Sequence, residues 1–234
     1  MSASIKLATA GIVGAGAFMA HAVRGRSSAF FGPSVWRGDA HGRALALTFD
    51  DGPSEATPEI LAILREHNVP ATFFVCGANV RRLPTIARAI RDAGHEIGNH
   101  SDTHPHFHFK SAAFTENEFT RAQQTIEEIL NVRPSLLRAP FGVRWFGFRA
   151  TQRKLGLLGV MWTVIGRDWC DPPAIVTARV LRNARNGGIL CLHDGRELRV
   201  NPDVSSTIES VQTFVPRLLE QGYQFHTVSR LLGR

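Results

Sequence analysis

The sequence contains little cysteine, little lysine and no dense run of like charges. Its cysteines, Cys76, Cys170 and Cys191, are odd in number and widely spaced, which excludes a disulfide framework and a zinc ribbon. Nearly all of the positive charge is scattered arginine, so the net charge of +7 is typical of a solvated surface rather than of a nucleic-acid-binding patch. A composition of 44% hydrophobic and 20% charged residues excludes a disordered chain, and 234 residues suit one domain of α/β-barrel size.

The N-terminal segment differs from the rest of the chain. Leu7 to Ala20 is apolar, Lys6 precedes it and Ala20-His21-Ala22 follows it, which is the order of parts in a secretory signal peptide. The apolar run is short for a membrane span of about 20 residues, so it would make only a marginal anchor. A retained anchor is nevertheless the alternative to a cleaved signal. We therefore expect a secreted or membrane-anchored, extracytoplasmic protein. The predicted divisions are residues 1–26 as signal peptide or anchor, 27–43 as linker and 44–234 as the folded domain.

Strand-like and helix-like segments alternate after the predicted linker. This alternation predicts a parallel sheet with crossover helices, either open or closed into a barrel. Thr115 and Glu118 predict a capping box at the start of one helix. The predicted strands are Ala44–Phe49, Ala71–Cys76, His95–Gly98, Ser135–Arg138, Gly159–Val164, Gly188–His193 and Gln224–Val228.

Polar side chains follow several of the predicted strands. The carboxyl ends of parallel strands meet at one edge of a sheet, and α/β barrels carry their active sites there. The pattern therefore predicts one polar site. The groups in question are Asp50-Asp51, Asn99-His100, Arg138 and His193-Asp194.

Two of these groups have the chemistry of a metal site. His100 and His104 can converge on one ion, and two imidazoles with one carboxylate leave a coordination position open for water. Asp50 and Asp51 repel each other unless a cation compensates them. Their side chains leave the strand in different directions, so one can bind a metal while the other faces a substrate. The alternative is an Asp-Asp-Gly-Pro turn at the surface.

Five motifs occur in order along the chain. They are Thr48-Phe49-Asp50-Asp51-Gly52-Pro53, His100-Ser101-Asp102-Thr103-His104, Arg138-Ala139-Pro140-Phe141-Gly142, Asp168-Trp169 and Leu192-His193. Together they resemble the motifs of the polysaccharide deacetylase family, the NodB-homology domain of carbohydrate esterase family 4, over about Ala44 to Leu232. The resemblance implies a distorted (β/α)7 barrel with the site at the carboxyl ends of its strands. It also implies a divalent metal, usually zinc, with cobalt and nickel as alternatives.

The resemblance assigns a role to each matched residue. The metal ligands are Asp51, His100 and His104. Catalytic roles fall to Asp50 as general base, Arg138 as the arginine that holds this base, His193 as general acid and Asp168 as the carboxylate that orients His193. Substrate contacts fall to Trp169 and Leu192 at the acyl pocket and to the backbone N–H of Phe141 as an oxyanion donor.

Two positions depart from the family pattern. Ile165 stands where many relatives carry a second aspartate, and Cys191 stands where a leucine commonly lines the acetyl pocket. Both changes bear on the shape of the acyl pocket, and neither removes a catalytic group.

The function implied is a metal-dependent hydrolase that removes N-acetyl or O-acetyl groups from a carbohydrate polymer such as peptidoglycan or a chitin-like glycan. We expect a carbohydrate partner and no nucleic acid, and the N-terminal segment leaves membrane association open. One alternative is a catalytically silent, metal-containing carbohydrate-binding protein on the same fold. Another is a deacylase of a small amide or ester, because fold and motifs do not define substrate size.

Overall fold

The structure, a computed structural model, describes residues 3–39 and 41–234. Its centre is a sheet in which every pairing between strands is parallel. In the described residues the sheet has nine strands in the order β1-β6-β5-β4-β3-β2-β8-β7, and β9 also pairs with β2. The strands are β1 Ser34–Val35, β2 Ala44–Asp50, β3 Thr72–Val75, β4 Glu96–Asn99, β5 Leu136–Leu137, β6 Leu158–Val160, β7 Val164–Ile165, β8 Gly188–His193 and β9 Gln224–His226.

Helices connect most of these parallel strands, as parallel pairing requires. They are α1 Ala3–Arg24, α2 Thr57–Glu66, α3 Gly77–Arg82, α4 Pro84–Asp92, α5 Ala112–Leu130, α6 Phe148–Leu155, α7 Pro173–Asn183, α8 Ser205–Glu220 and α9 Val228–Leu231, with a 3₁₀ turn at Pro140–Gly142. The predicted α/β class and parallel barrel-like sheet are confirmed. The barrel is distorted, since no pairing among the described residues joins β1 to β7.

Strand β2 lies at the centre of the core. Leu45, Leu47 and Phe49 pack into the main hydrophobic cluster, while Ala46 packs into a second cluster on the other side of the strand. A strand covered on both faces reads as a nearly continuous apolar run, which is what this stretch of sequence shows. Its final residue, Asp50, therefore emerges from a fully packed strand at the carboxyl edge of the sheet.

Two predicted elements differ from the structure. The capping box at Thr115 and Glu118 is wrong, because α5 begins at Ala112 and its N-cap is Ser111, whose hydroxyl accepts from the N–H of Phe114. The single strand predicted over residues 159–164 is instead two short strands, β6 and β7. The Arg138 side chain explains the break, since it binds the carbonyl of Val160 at the end of β6 and that of the following residue, Met161.

The N-terminal region contacts the folded domain. Strand β1 lies inside the segment predicted as a linker and pairs with β6, so this part of residues 27–43 belongs to the sheet. The backbone carbonyl of Val23 accepts from the N–H of Arg144, next to the 3₁₀ turn. Within the described residues, no helix has the length and apolarity to cross a membrane. The signal peptide remains a prediction, and Met1, Ser2 and Ala40 lie outside the described residues.

Candidate active site

A pocket of about 510 Å³ opens at the carboxyl edge of the sheet. Seven of the ten predicted site residues line it: Asp50, Asp51, His100, His104, Phe141, Trp169 and His193. Arg138 and Asp168 are buried behind the lining and contact it through hydrogen bonds.

Leu192 differs from its predicted position. Its side chain packs in the main hydrophobic core, while its neighbours Cys191 and His193 line the pocket. Successive side chains of a strand point to opposite faces, so once His193 faces the pocket, Cys191 faces it too and Leu192 does not. The pocket lining on this side therefore includes Cys191 and Ile165, the two departures from the family pattern.

Asp51, His100 and His104 converge on one point. The Asp51 Oδ1 atom lies 3.3 Å from His100 Nε2 and 3.0 Å from His104 Nε2, and all three side chains are buried. Among the residues that the structure describes, neither Asp51 Oδ1 nor His104 Nδ1 has a hydrogen-bond partner. Buried polar atoms are nearly always paired, so the unpaired Asp51 Oδ1, on which both Nε2 atoms converge, indicates a ligand from outside the chain. His104 faces this point with Nε2 and not with Nδ1.

The other atoms of this cluster are held by the protein. His100 Nδ1 donates to the backbone carbonyl of Arg138 at 2.8 Å, which directs the lone pair of Nε2 toward Asp51. Asp51 Oδ2 accepts from the N–H of Glu197 at 3.0 Å. Burial raises the pKa of Asp51, but the imidazoles of His100 and His104 outweigh it and hold that pKa well below its usual value. Two imidazoles and an ionised carboxylate are a donor set that fits a divalent metal.

The loop that carries His104 is anchored by two helices. Asp102 is fully buried and forms a bidentate pair with Arg81 of α3, at 2.7 and 3.0 Å. Glu118 of α5 accepts from the backbone N–H groups of Asp102 and Thr103. Glu118 thus holds the histidine loop rather than capping its own helix.

Several residues around the pocket have left-handed backbone conformations, which are rare for residues other than glycine. Asp51 has a φ of 74°, His104 one of 55° and Phe141 one of 56°. Such conformations cost on the order of 1–3 kcal/mol each and persist where the surroundings enforce them, often at functional sites. The Phe141 ring packs on this cluster, with its centroid 4.6 Å from that of His104.

Asp50 and Arg138 form a buried ion pair. Arg138 Nη1 lies 2.7 Å from Asp50 Oδ1 and also donates to Thr48 Oγ1 at 2.7 Å. The guanidinium further donates to two backbone carbonyls and lies 4.2 Å from the centre of the Phe74 ring. These contacts fix the orientation of Asp50 and leave its second oxygen, Oδ2, beside the Cys191 thiol at 3.5 Å.

His193 and Asp168 form a second charged pair. His193 Nδ1 lies 3.0 Å from Asp168 Oδ1, and Asp168 Oδ2 accepts from the Thr207 hydroxyl at 2.6 Å. Burial lowers the pKa of His193, but the Asp168 carboxylate outweighs it and raises the pKa to about 9. The imidazole is therefore protonated near neutral pH. The Trp169 and His193 rings pack edge to face, with their centroids 5.0 Å apart.

Some pocket residues carry no motif signal in the sequence. The mouth includes cationic and acidic side chains from the N-terminal helix and from the loop after β8, namely Arg24, Arg196, Glu197 and Arg199. Arg24 reaches the pocket from a distant segment, and the other three lie on a loop whose path over the site is not revealed by local pattern. Asp194 is different, because it directly follows His193 and its buried carboxyl accepts from Thr57 at 2.6 Å. Burial raises the pKa of Asp194 to about 7.

Comparison with known proteins gives a consistent result. Residues 37–160 match the family model described as polysaccharide deacetylase. A chitooligosaccharide deacetylase of Bradyrhizobium sp. (strain ANU 289) is 37% identical over 83% of this chain and 93% of its own length. A peptidoglycan-N-acetylglucosamine deacetylase of Bacillus cereus is 34% identical over 85% of this chain and 92% of its own.

Solved structures share the fold. A peptidoglycan N-acetylglucosamine deacetylase bound to an N-hydroxybenzamide compound has a TM-score of 0.80 and 28% identity, over 85% of this chain and 92% of that chain. A CE4 family pseudoenzyme from Bacillus anthracis has a TM-score of 0.77 and 30% identity, over 85% and 68%. Because a pseudoenzyme scores almost as well as an active enzyme, shape alone does not define activity, and the side chains in the pocket carry the argument.

Proposed function

This chain belongs to the polysaccharide deacetylase family, and we propose that it removes N-acetyl groups from a carbohydrate polymer such as peptidoglycan or a chitin-like glycan. The observation that carries the proposal is the convergence of an orphaned carboxylate oxygen and two imidazoles beside two buried charge pairs in one pocket. A silent carbohydrate-binding protein can keep the metal cluster, but it has no use for the two proton-transfer pairs, which a hydrolase uses as base and acid.

In the proposed site Asp51, His100 and His104 hold one divalent metal, with zinc as the expected ion. Carboxylate oxygen and imidazole nitrogen suit zinc, and three protein ligands leave a position open, as in catalytic zinc sites. Cobalt and nickel accept similar ligands. When bound, the metal supplies Lewis-acid polarisation of the acyl carbonyl and lowers the pKa of water.

The chain's own residues carry the proton transfers. Asp50 accepts a proton from the water that attacks the acyl carbon, and Arg138 holds its carboxylate in position for this step. His193 is protonated near neutral pH and donates a proton to the leaving amine, while Asp168 holds the imidazole through Nδ1. The proposal assigns the backbone N–H of Phe141 as a donor to the oxyanion of the tetrahedral intermediate. Trp169 forms one wall beside the acyl group.

The site of action is proposed to be outside the cytoplasm. The N-terminal segment has the pattern of an export signal, and a cell-wall polymer would be met only after export. A reporter fused to residues 1–26 should leave the cytoplasm. Retention of the reporter in the cytoplasm would contradict export and favour a soluble substrate.

Mass spectrometry of products tests the function directly. The metal-loaded protein is incubated with N-acetylated chitin oligomers, peptidoglycan fragments and O-acetylated xylan. We expect stepwise loss of acetyl groups from one of the first two, and no loss with the Asp50→Asn variant as the matched control. A chain that binds these glycans but changes the mass of none would be the silent carbohydrate-binding protein instead. Loss from xylan alone would assign O-deacetylation.

A further inference from the structure

A second group of ligand-type side chains lies beside the first in the same pocket. Asp50, Cys191 and His193 each offer one ligand atom, and the three atoms lie within 4.8 Å of one another. None of the three belongs to the Asp51–His100–His104 cluster. Carboxylate oxygen, thiolate sulfur and imidazole nitrogen are the three kinds of atom by which proteins bind zinc.

Each of these side chains has one further atom of ligand type, which a metal reaches by displacing a proton. Arg138 Nη1 occupies Asp50 Oδ1, and the remaining Oδ2 accepts from the Cys191 thiol at 3.5 Å. Asp168 Oδ1 occupies His193 Nδ1, so the remaining ring nitrogen is Nε2. A carboxylate bound to one nitrogen of a histidine is the usual way in which proteins orient the other nitrogen toward a metal.

The sulfur ligand is what distinguishes this group. Cys191 lines the pocket, although only 1% of its surface is exposed, and it stands on β8 on the same face as His193. Thiolate ligands select zinc, cadmium and other thiophilic ions over magnesium and calcium. Burial, together with the Asp50 and Asp168 carboxylates, raises the pKa of the Cys191 thiol well above its usual value, so the thiol binds a metal only when the ion displaces its proton. Arg138 opposes a cation here, while the nearby carboxylates of Asp51 and Asp168 favour one.

We propose that Asp50, Cys191 and His193 form a second metal site, which binds a thiophilic divalent ion such as zinc and thereby inhibits the enzyme. Binding replaces the Cys191 thiol proton and the His193 Nε2 proton by metal–ligand bonds and releases both protons to water. The ion occupies the proposed general base and general acid together, so substrate turnover stops while the first metal stays in place. The inhibition rests on the proposed function, whereas the binding does not.

Cobalt provides a direct readout, because a cobalt–thiolate bond gives an ultraviolet charge-transfer band that oxygen and nitrogen ligands do not give. The metal-free full-length protein is titrated with cobalt. The Asp51–His100–His104 cluster contains no sulfur, so the band reports the second site alone. We expect it in the wild type, its loss in Cys191→Ser and its retention in Cys170→Ser, whose thiol is exposed outside the pocket lining.

Inhibition is measured on the same proteins loaded with one equivalent of zinc, with each rate expressed relative to that variant's own uninhibited rate. Excess zinc should inhibit the wild type and Cys170→Ser alike, and Cys191→Ser should need at least about ten-fold more zinc for half inhibition. A wild type without the cobalt band, a band that persists in Cys191→Ser, or equal zinc sensitivity in all three proteins would overturn the proposal. A band that follows Cys191 in a protein without deacetylase activity would support the second site and contradict the proposed function.

Discussion

The two halves of the pocket differ in how the protein satisfies their polar atoms. In the metal half, formed by Asp51, His100 and His104, the Asp51 Oδ1 atom on which both imidazoles converge has no hydrogen-bond partner among the described residues. In the proton-transfer half, formed by the Asp50–Arg138 and Asp168–His193 pairs, each carboxylate is bound by a cationic side chain. The first half is incomplete without a ligand, whereas the charges of the second half are paired within the chain. Substitutions in the two halves should therefore have different consequences: loss of the metal in the first half and loss of proton transfer in the second.

Metal removal should give the largest effect, because it empties the half that depends on an outside ligand. Incubation with a chelator is expected to abolish deacetylation, and zinc or cobalt should restore it. Metal content by mass spectrometry is measured beside the rate. Full turnover in a sample shown to be free of metal would contradict the claim that the metal half needs a ligand for activity.

Loss of Arg138 should damage the proton-transfer half most. Arg138→Met leaves Asp50 buried without its cation, which should lower the free energy of unfolding by about 3–5 kcal/mol. The matched control is Arg133→Met, which removes an exposed pair with Glu127 and should cost no more than about 1 kcal/mol. Denaturant unfolding compares the two variants. Equal losses of unfolding free energy would show that the buried pair stabilises the fold no more than the exposed pair does.

Loss of the Asp168 charge should change the pH dependence rather than the metal content. The folded-state pKa of His193, about 9, lies above its ordinary value of 6.5, so the imidazolium persists through neutral pH and is lost as pH rises through 9. Wild-type kcat/KM should therefore fall on the alkaline side near pH 9. In Asp168→Asn the pKa of His193 should drop, and this limb should move to lower pH.

The same variant bears on stability. The raised pKa of His193 gives a contribution that is full below about pH 6.5 and is lost as pH rises through 9, and the pair is also lost in acid, where Asp168 is protonated. Asp171→Asn, which removes a carboxylate paired with Arg179 away from the pocket, serves as control and should leave the limb in place. An alkaline limb that stays put in Asp168→Asn would exclude His193 as the titrating acid.

The smallest effect should come from the rim, which belongs to neither half. Arg24 lines the pocket mouth and is exposed to water, so its contribution to binding is screened. Arg24→Gln should raise KM by about two- to five-fold at nearly constant kcat, the pattern of lost uniform binding. Arg26→Gln, outside the pocket lining, should leave both constants unchanged. A large fall in kcat for Arg24→Gln would place this residue in the chemistry instead.

The sequence predicts the parallel sheet and the meeting of its motifs well, because strand ends and their polar residues are local signals. The capping box predicted at Glu118 is wrong because the sequence pattern does not distinguish a capping carboxylate from one that binds another loop. The face of β8 that carries Leu192 can, in contrast, be derived from the sequence. The two-residue period of β8 requires Cys191, not Leu192, to share the face of His193.

Contributions from distant segments could not be predicted. Arg24 reaches the pocket because the backbone beyond α1 is tied to Arg144, whose guanidinium binds the carbonyls of Gly25 and Ser28. These are side-chain to backbone contacts between segments more than 100 residues apart, and no local pattern encodes them. The interior of the site is thus readable from motifs, whereas its mouth depends on tertiary structure.

The contrast between the neighbouring carboxylates tests the division of the pocket most directly. Asp50→Asn and Asp51→Asn are purified in parallel, and metal content, melting temperature and kcat are measured for each. Asp51→Asn should lose the metal. Asp50→Asn should keep the metal and remain folded, with a lowered melting temperature because buried Arg138 loses its counter-charge, and should lose roughly two or more orders of magnitude in kcat. Near-normal turnover in Asp50→Asn, or metal loss equal to that of Asp51→Asn, would contradict the assignment of separate roles.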